Sequence, residues 1–500
     1  MSDRKREPVP PLVHADRIPL ESLGLALLFL GIFVLLSPAA FYKADGQHLV
    51  RRLIERNSEY PHHPFYMPML IAFGDLLAPL GLSPFQTARL FSQVGGALAI
   101  ALAHAGFRLL GLRPWVALLA TLLVAFCPAI FFFSNVVEFH APFLAAASLA
   151  FVVFAAALRR QPGSMSELLI AALLGLATSA AAGMHASGIL LPAIFVPWWL
   201  VLRYREGLLV EDRKLSWPAL AAPLLAGLAH GAGLALFVRV QRSGEFLQQG
   251  FQHPQGIEHL PGIFVQEWLL PFLPLSLLPF LLLLGRRFRL EAGFVLLAIS
   301  PYLLAALRLL VGDSESGAYL LPLAIPTAWL TASSLAALRN SHELGKHAKP
   351  LGLSLLVISA LLALARLEDF DRPEAYRPYA ASLRACIGTE DALVILGHPD
   401  AIDEYGAVLI ELPRLRVYLA DEPTKYSAAQ VRQAFAPALR ATLAKEKNLY
   451  ITNKALEFLD MPEANLRGGG GRAFVELLRR LCDFEPIHAN GFVVYRLKLK

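Results

Sequence analysis

Long apolar stretches recur along this chain, and each has about the length that crosses a lipid bilayer. Of its 500 residues, 56% are hydrophobic and only 17% are charged, which is more apolar than a soluble globular protein. A hydrocarbon core about 30 Å thick is crossed by roughly 20 apolar residues in a helix. We therefore predict a mainly α-helical, polytopic membrane protein. Its eleven predicted spans lie near residues 20–40, 85–107, 115–133, 141–158, 167–184, 187–202, 217–239, 264–285, 290–311, 318–338 and 350–367.

The positions of lysine and arginine predict the orientation of these spans. Basic residues collect in alternate loops, as they do on the cytoplasmic side of membrane proteins. A cytoplasmic N-terminus and eleven crossings place Asp45, Glu138 and everything after residue 368 outside. The basic residues of the predicted cytoplasmic loops then account for most of the net charge of +6, so no nucleic-acid partner is expected.

Two parts of this topology have an alternative. Only Met184-His185-Ala186 separates the spans 167–184 and 187–202, and merging them would invert everything downstream. The basic N-terminus, with Ser37-Pro38-Ala39-Ala40 at the end of the first span, also fits a secretory signal. We favour a retained helix, because the apolar stretch is longer than a usual signal core and acidic residues dilute the basic end.

After about residue 368 the composition becomes that of an ordinary soluble domain. We therefore divide the chain into a membrane module, 1–368, and a small extracytoplasmic α/β domain, 369–500. The pattern predicts strands at 392–396, 416–420, 449–452 and 492–497, and helices at 428–445 and 473–481. Cys386 and Cys482 both fall in this domain, where an oxidising compartment makes a disulfide and two free thiols about equally expected.

Charged and aromatic residues gather in the loop after the first span. Asp45 follows the end of that span by a few residues and is either a base tuned by its surroundings or the N-cap of an amphipathic helix over Gln47–Arg56. Arg51 and Arg52 lie on the polar side of that helix, where they contact either a bound phosphate or the headgroups of the bilayer.

A histidine pair ends the same loop. His62 and His63 precede an apolar segment, Tyr66–Leu80, that is too short to cross the membrane. Adjacent imidazoles can donate hydrogen bonds to a phosphate, bind a metal or cap a turn. For an isolated pair of histidines we favour the structural role, which is capping the turn.

The order of motifs resembles the GT-C glycosyltransferases, the superfamily of protein O-mannosyltransferases and aminoarabinose transferases. The resemblance covers most of residues 20–340. Its landmarks are Asp45, His63-Pro64-Phe65-Tyr66, Ala88-Arg89-Leu90-Phe91, Ser134-Asn135-Val136-Val137-Glu138-Phe139-His140, Gly183-Met184-His185-Ala186-Ser187-Gly188 and Tyr319-Leu320-Leu321-Pro322-Leu323-Ala324-Ile325-Pro326.

The resemblance implies transfer of a sugar from an isoprenoid-phosphate donor to an acceptor hydroxyl of a glycan, lipid or protein. It implies Asp45 as the general base and Glu138 as a second acid, which is otherwise a helix cap. The residues expected to bind substrate are Arg51, Arg52, His62, His63, Tyr66, His140 and His185. No cofactor is required by this chemistry, although a divalent metal held by Glu138 and His140 is an alternative. The expected location is a bacterial inner membrane, with the site outside.

Two positions depart from the family pattern. Gly46 stands where protein O-mannosyltransferases carry a second acid after the catalytic aspartate, which argues against a protein acceptor. Ser316-Gly317-Ala318 replaces the cation that precedes the Tyr-Leu-Leu-Pro signature, which leaves the donor phosphate to other residues.

The main competing hypothesis is a transporter or lipid flippase, because many crossings interrupted by Gly and Pro suit alternating access. Against it, the sequence has no two-fold internal repeat, and its polar residues concentrate on one face of the membrane. A polymerase or ligase of surface polysaccharide is a third alternative, but the arginine-rich outer loops expected of one are sparse.

Overall fold

The computed structural model describes residues 15–60, 63–208, 210–211, 214–215, 217–241, 257–309, 315–340, 345–368, 370, 373–388, 392–397, 402–412, 415–445, 448–466 and 468–500. Within these ranges, nine helices are long and apolar enough to cross a membrane, and one bent pair would make a tenth. The predicted multi-pass, mainly helical architecture is confirmed, while the count of eleven spans is not.

The chain forms two compact units. The first draws its described residues from Met1–Ser37, Asn57–Asp75 and Arg89–Asp369, and the second from Pro38–Arg56, Leu76–Ala88 and Phe370–Lys500. Within the described residues, fifteen α-helices precede Asp369: α1 Ile18–Leu35, α2 Ala44–Glu55, α3 Tyr66–Leu77, α4 Pro84–Leu109, α5 Pro114–Ala125, α6 Pro128–Asn135, α7 His140–Leu158, α8 Met165–Met184, α9 Pro192–Arg205, α10 Trp217–Gln241, α11 Leu260–Ile263, α12 Leu278–Leu283, α13 Arg289–Leu309, α14 Ala324–Arg339 and α15 Gly345–Glu368. A short antiparallel pair, β1 Val210–Glu211 and β2 Lys214–Leu215, follows α9.

Burial separates the two faces of the spanning helices. On α1, the side chains of Phe29 and Phe33 are fully buried, whereas Leu20, Leu23 and Leu27 are exposed. Exposed leucines on a helix this apolar are suited to contact lipid chains rather than water. In the interior, α8 packs against both α7 and α10.

Prolines interrupt two of the predicted spans. The stretch 264–285 is not one helix but a π-helical turn at Phe264–Leu269, a 3-10 turn at Leu275–Leu277 and α12. Proline has no N–H to donate and its ring clashes with the preceding turn, so Pro271 and Pro274 prevent a continuous helix. The predicted span 115–133 is the pair α5 and α6, bent by 62° ahead of Pro128. The predicted separation of 167–184 from 187–202 is confirmed, since the 3-10 turn Ala186–Leu190 lies between α8 and α9.

The second unit contains the predicted α/β layer. Besides α2, its described α-helices include α16 Pro373–Ile387, α17 Ile402–Glu411, α18 Asp421–Thr424, α19 Ala428–Lys445, α20 Asn453–Asp460 and α21 Gly470–Leu481. Its strands are β3 Leu393–Leu396, β4 Arg416–Leu419, β5 Leu449–Thr452, β6 Cys482–Ala489 and β7 Phe492–Leu499. The sheet order is β4-β3-β5-β7-β6, parallel among the first three strands and antiparallel thereafter.

All four predicted strands form, and β6 is the strand that the pattern missed. It lies at the sheet edge and most of its side chains are at least partly exposed, so it has little apolar signature. The strand contains Pro486, and proline, which has no N–H to donate, is tolerated on edge strands. The core beneath the sheet includes Ile395, Val431 and Phe474.

The disulfide considered for Cys386 and Cys482 is not formed, and both are buried free thiols. The Cys386 Sγ lies 3.9 Å from the carbonyl oxygen of Ile487, near the far end of β6, whereas Cys482 begins that strand. Residues five positions apart in a strand are separated by roughly 17 Å. Disulfide geometry requires Cα atoms within about 7 Å, so these two thiols are too far apart to bond.

Candidate functional site

Three separate links of the first unit bring four predicted site residues together. His63 lies in the turn before α3, Glu138 and His140 lie where α6 passes into α7, and His185 lies between α8 and α9. All four side chains are buried, with His63 the most exposed at 7%. Polar groups are costly inside an apolar bundle, so their concentration at one place is a functional signal.

The imidazole rings pack against one another and against aromatic residues. The His63 and His185 rings stack with centroids 4.8 Å apart and planes 12° apart. His140 lies 4.9 Å from His185. The Phe139 ring lies 4.1 Å from His63, and the Tyr319 ring lies 5.1 Å from His185. We call His63, His140, His185, Phe139 and Tyr319 the histidine cluster.

Backbone contacts place His63 in this cluster. The His63 N–H donates to the carbonyl of Tyr60 at 3.0 Å, and the Phe65 N–H donates to the carbonyl of Gly183 at 3.0 Å. A Cβ at position 183 would overlap the ring of Phe65. The turn from His63 to Phe65 therefore packs on the end of α8. This close contact requires glycine at position 183.

A serine on α4 holds the link that carries Glu138. The Ser92 hydroxyl donates to the Glu138 carbonyl at 2.9 Å and accepts the Glu138 N–H at 3.3 Å. The Glu138 Oε2 and His140 Nε2 atoms lie 4.0 Å apart. Burial, and secondarily the charge of Glu138, raises the pKa of the Tyr66 phenol well above its ordinary value. Tyr66 is therefore a hydrogen-bond donor beside Glu138.

His185 is neutral at physiological pH. Burial lowers the pKa of its imidazole from 6.5 to about 3. Its Nδ1 accepts the Ser187 N–H at 3.1 Å and lies 2.6 Å from the Ser187 hydroxyl. Since Nδ1 is an acceptor, the single ring proton lies on Nε2. His185 therefore offers a hydrogen bond but no positive charge.

Among the described residues, no group of three or more His, Cys, Asp or Glu side chains is arranged to hold a metal ion. Glu138 and His140 present two adjacent ligand types. A divalent metal bound by this pair would take its other ligands from water or substrate.

Three other predicted residues belong to the second unit, on α2. Asp45 is half-buried in the first turn of that helix, and Lys43, not Asp45, is the N-cap residue. An acid in the first turn interacts favourably with the helix dipole. The Arg51 Nε pairs with Glu55 Oε1 at 2.8 Å, and Arg52 is half-buried. His62 lies outside the described residues.

Part of the apolar side of α2 is buried within the protein, although Ile54 is 50% exposed. The side chains of Leu49 and Val50 are fully buried, and α2 packs against α17 of the same unit. The amphipathic pattern that suggested a helix lying on the bilayer thus reflects a protein interface along these residues.

Sequence reasoning missed two charged residues of the first unit. The Glu267 carboxylate is 1% exposed and accepts the N–H groups of Glu315, Ser316 and Gly317 at 2.8, 3.2 and 2.8 Å, which holds the turn that precedes Tyr319. Arg366, near the end of α15, donates to the Ser316 carbonyl at 3.2 Å. Glu267 and Arg366 are each a charged side chain in an apolar stretch of sequence. That signal could have identified both as candidate site residues.

A segment holding all the predicted site residues matches a known family. Residues 41–226 match the family model described as dolichyl-phosphate-mannose-protein mannosyltransferase. Among curated proteins, none matches this chain in sequence.

Solved structures share its fold at low sequence identity. ArnT from Cupriavidus metallidurans bound to undecaprenyl phosphate superposes with a TM-score of 0.59 at 13% identity, over 96% of this chain and 98% of that one. The archaeal oligosaccharyltransferase AglB from Archaeoglobus fulgidus, in complex with an inhibitory peptide and a dolichol-phosphate, gives a TM-score of 0.51 at 12% identity over 95% and 74%. At 12% and 13% identity these superpositions show a shared fold, so the fold implied by the predicted resemblance is confirmed.

Proposed function

We propose that this chain, built on the fold of ArnT and AglB, transfers a sugar from a polyprenyl-phosphate donor to an acceptor hydroxyl at the extracytoplasmic face of the membrane. The observation that carries the proposal is the histidine cluster with Glu138, a buried polar site in an apolar bundle of this fold. The lipid phosphates named in the two related structures, undecaprenyl phosphate and dolichol-phosphate, support a donor of this class.

The proposed reaction is displacement at the anomeric carbon, with the lipid phosphate as leaving group. Asp45 removes the proton of the acceptor hydroxyl, which is general base catalysis. Glu138 orients the acceptor, and the neutral His185 and the protonated Tyr66 donate hydrogen bonds to substrate. Negative charge grows on the departing phosphate, so positive groups stabilise the transition state. We assign that role to Arg51 and Arg52, with hydrogen bonds from His62 and His63.

The acceptor belongs to one of three classes, a glycan, a lipid or a protein hydroxyl. Gly46, at the position of the second acid in protein O-mannosyltransferases, makes glycan or lipid the favoured acceptors. We further propose a hexose-type sugar as the transferred group and a bacterial inner membrane as the location.

Transfer from radiolabelled polyprenyl-phosphate sugars in liposomes tests this function. Asp45→Asn removes the base but keeps the size of the side chain, so the transfer rate should fall by at least about 100-fold. Asp16→Asn, an exposed acid ahead of α1, is the matched control and should transfer like wild type. Transfer that survives Asp45→Asn removes Asp45 as the base.

Two further results separate the alternatives. If wild type transfers no lipid-linked sugar but moves substrate across the liposome membrane, the protein is a transporter. If EDTA abolishes transfer and Mn²⁺ restores it, a divalent metal joins the proposed site at Glu138 and His140. The proposed reaction itself requires no cofactor.

A further inference from the structure

Arg366 carries a permanent positive charge at the end of the last candidate span. It lies in the last turn of α15, in a helix apolar enough to cross a membrane. A cation there has a simple structural explanation, since it interacts favourably with the helix dipole and can reach lipid headgroups. Its contacts instead turn it towards the interior of the first unit.

The guanidinium group contacts two aromatic rings and one backbone carbonyl, among its other interactions. Its Cζ lies 4.5 Å from the centre of the Phe132 ring and 5.8 Å from that of Phe133, both on α6, which packs against α15. Its Nη2 donates to the carbonyl of Ser316 at 3.2 Å. Arg366 is only half-buried, so this orientation leaves part of the side chain accessible.

The acceptor carbonyl on Ser316 is itself held in place. Ser316 has a φ of +52°, a left-handed conformation that is unfavourable for a residue with a Cβ. The buried Glu267 carboxylate accepts the N–H groups on both sides of that carbonyl and so maintains the turn. Glu267 is thus a positioning residue for Arg366.

The contacts with Phe133 and with Ser316 connect Arg366 to the histidine cluster. The Phe133 ring, which touches the guanidinium, also lies 4.8 Å from the ring of His140. The turn at Ser316 leads within three residues to Tyr319, whose ring packs on His185. One aromatic ring therefore separates the positive charge from the cluster.

We propose that Arg366 binds the phosphate group of the lipid-linked donor, in place of the cation that is missing before Tyr319. The inference rests on the proposed function. A guanidinium forms two parallel hydrogen bonds with a phosphate, and stacking on an aromatic ring preserves its hydrogen-bonding edge. His185 is neutral and brings no charge to the phosphate, whereas Arg366 brings one in addition to the charges proposed for Arg51 and Arg52.

Lipid binding to the purified full-length protein tests the assignment by native mass spectrometry. The probes are undecaprenyl phosphate, undecaprenol, which lacks the phosphate, and phosphatidylglycerol as a bulk phospholipid. Arg366→Gln should weaken undecaprenyl phosphate binding by about tenfold or more and leave undecaprenol binding unchanged. Arg339→Gln is the matched control, because Arg339 also stacks on an aromatic ring, 4.9 Å from the centre of Trp115, but lies near the opposite end of α15.

Each outcome separates this inference from the proposed function. If wild type prefers undecaprenyl phosphate over undecaprenol and Arg366→Gln keeps that preference, the assignment of Arg366 is wrong and the function stands. If wild type shows no preference, both fail. If phosphatidylglycerol displaces undecaprenyl phosphate at equal concentration, Arg366 binds bulk phospholipid and the donor assignment fails.

Thermal unfolding in detergent checks that each variant folds. If Arg366→Gln does not fold, Arg366→Lys replaces it in the binding experiment. Lysine keeps the charge but cannot form two parallel hydrogen bonds with a phosphate. Lysine should weaken undecaprenyl phosphate binding by about threefold to tenfold, and unchanged binding overturns the assignment.

Discussion

Burial determines the protonation state of His185, the residue on which the histidine cluster centres. Its imidazole is 2% exposed and packs against the rings of His63, His140 and Tyr319. Charging a group in such surroundings costs its hydration, which is why the pKa falls to about 3. The ring acts as a hydrogen-bond donor across the pH range in which the protein would work.

This pKa predicts acid sensitivity of the fold. Below its ordinary value of 6.5, the unfolded chain binds a proton at His185 that the folded protein does not bind until pH 3, so stability is lost as the pH falls through that window. From pH 6.5 to pH 5 the loss should be about 2 kcal/mol. His185→Asn keeps an acceptor for the Ser187 N–H and should flatten the dependence of the unfolding temperature on pH over that range.

His259→Asn is the control for that experiment. His259 precedes α11 and its side chain is 59% exposed. The variant should therefore show the pH dependence of wild type. An unchanged dependence in His185→Asn would contradict a neutral, buried His185.

Single residues of the candidate site stand out in the sequence where they differ chemically from their neighbours. Glu138, His140 and His185 interrupt apolar sequence, and the structure brings them together. Glu267 and Arg366 carry the same signal, yet their importance depends on a hydrogen-bonded turn near Ser316 that no local pattern reveals.

At the level of elements, the end of α8 organises the cluster. This helix packs between α7 and α10, and its last residues provide both the Gly183 carbonyl that anchors Phe65 and the connection to His185. The close approach of the turn before α3 depends on the missing side chain at position 183.

Gly183→Ala should therefore impair transfer without unfolding the protein. The added methyl group displaces Phe65 and with it His63, and a misplacement of about 1 Å in a site can cost roughly 100-fold in rate. Sugar transfer and thermal unfolding of the same preparation measure the two effects. Gly227→Ala on α10 is the matched control, because a Cβ there meets nothing within 4 Å and alanine favours the helix. Equal transfer by both variants would show that the Gly183 contact does not position His63.

For the whole molecule, the distribution of basic residues predicts an orientation in the membrane. The histidine cluster lies at one end of α7 and α8, where His140 begins α7 and His185 follows α8. Gln161 lies in the link at the other end of the same two helices. The proposed orientation places the cluster outside and Gln161 in the cytoplasm.

Cysteine labelling tests this orientation. Cys127, Cys386 and Cys482 are buried, so the native protein should react little with a membrane-impermeant maleimide. In spheroplasts the reagent should label Glu59→Cys, an exposed position near His63, and should label Gln161→Cys only after the membrane is permeabilised. The reverse pattern would place the histidine cluster in the cytoplasm.

The sequence by itself determined the membrane class, most of the spans, the α/β character of the C-terminal residues and the identity of several polar residues, because these follow from local composition and periodicity. Tertiary structure alone decided that the stretch 264–285 is broken, that Cys386 and Cys482 lie apart, and that His63 stacks on His185. Each of these features depends on how segments far apart in the chain pack together. The energy of such a contact is not visible in the local sequence around either residue.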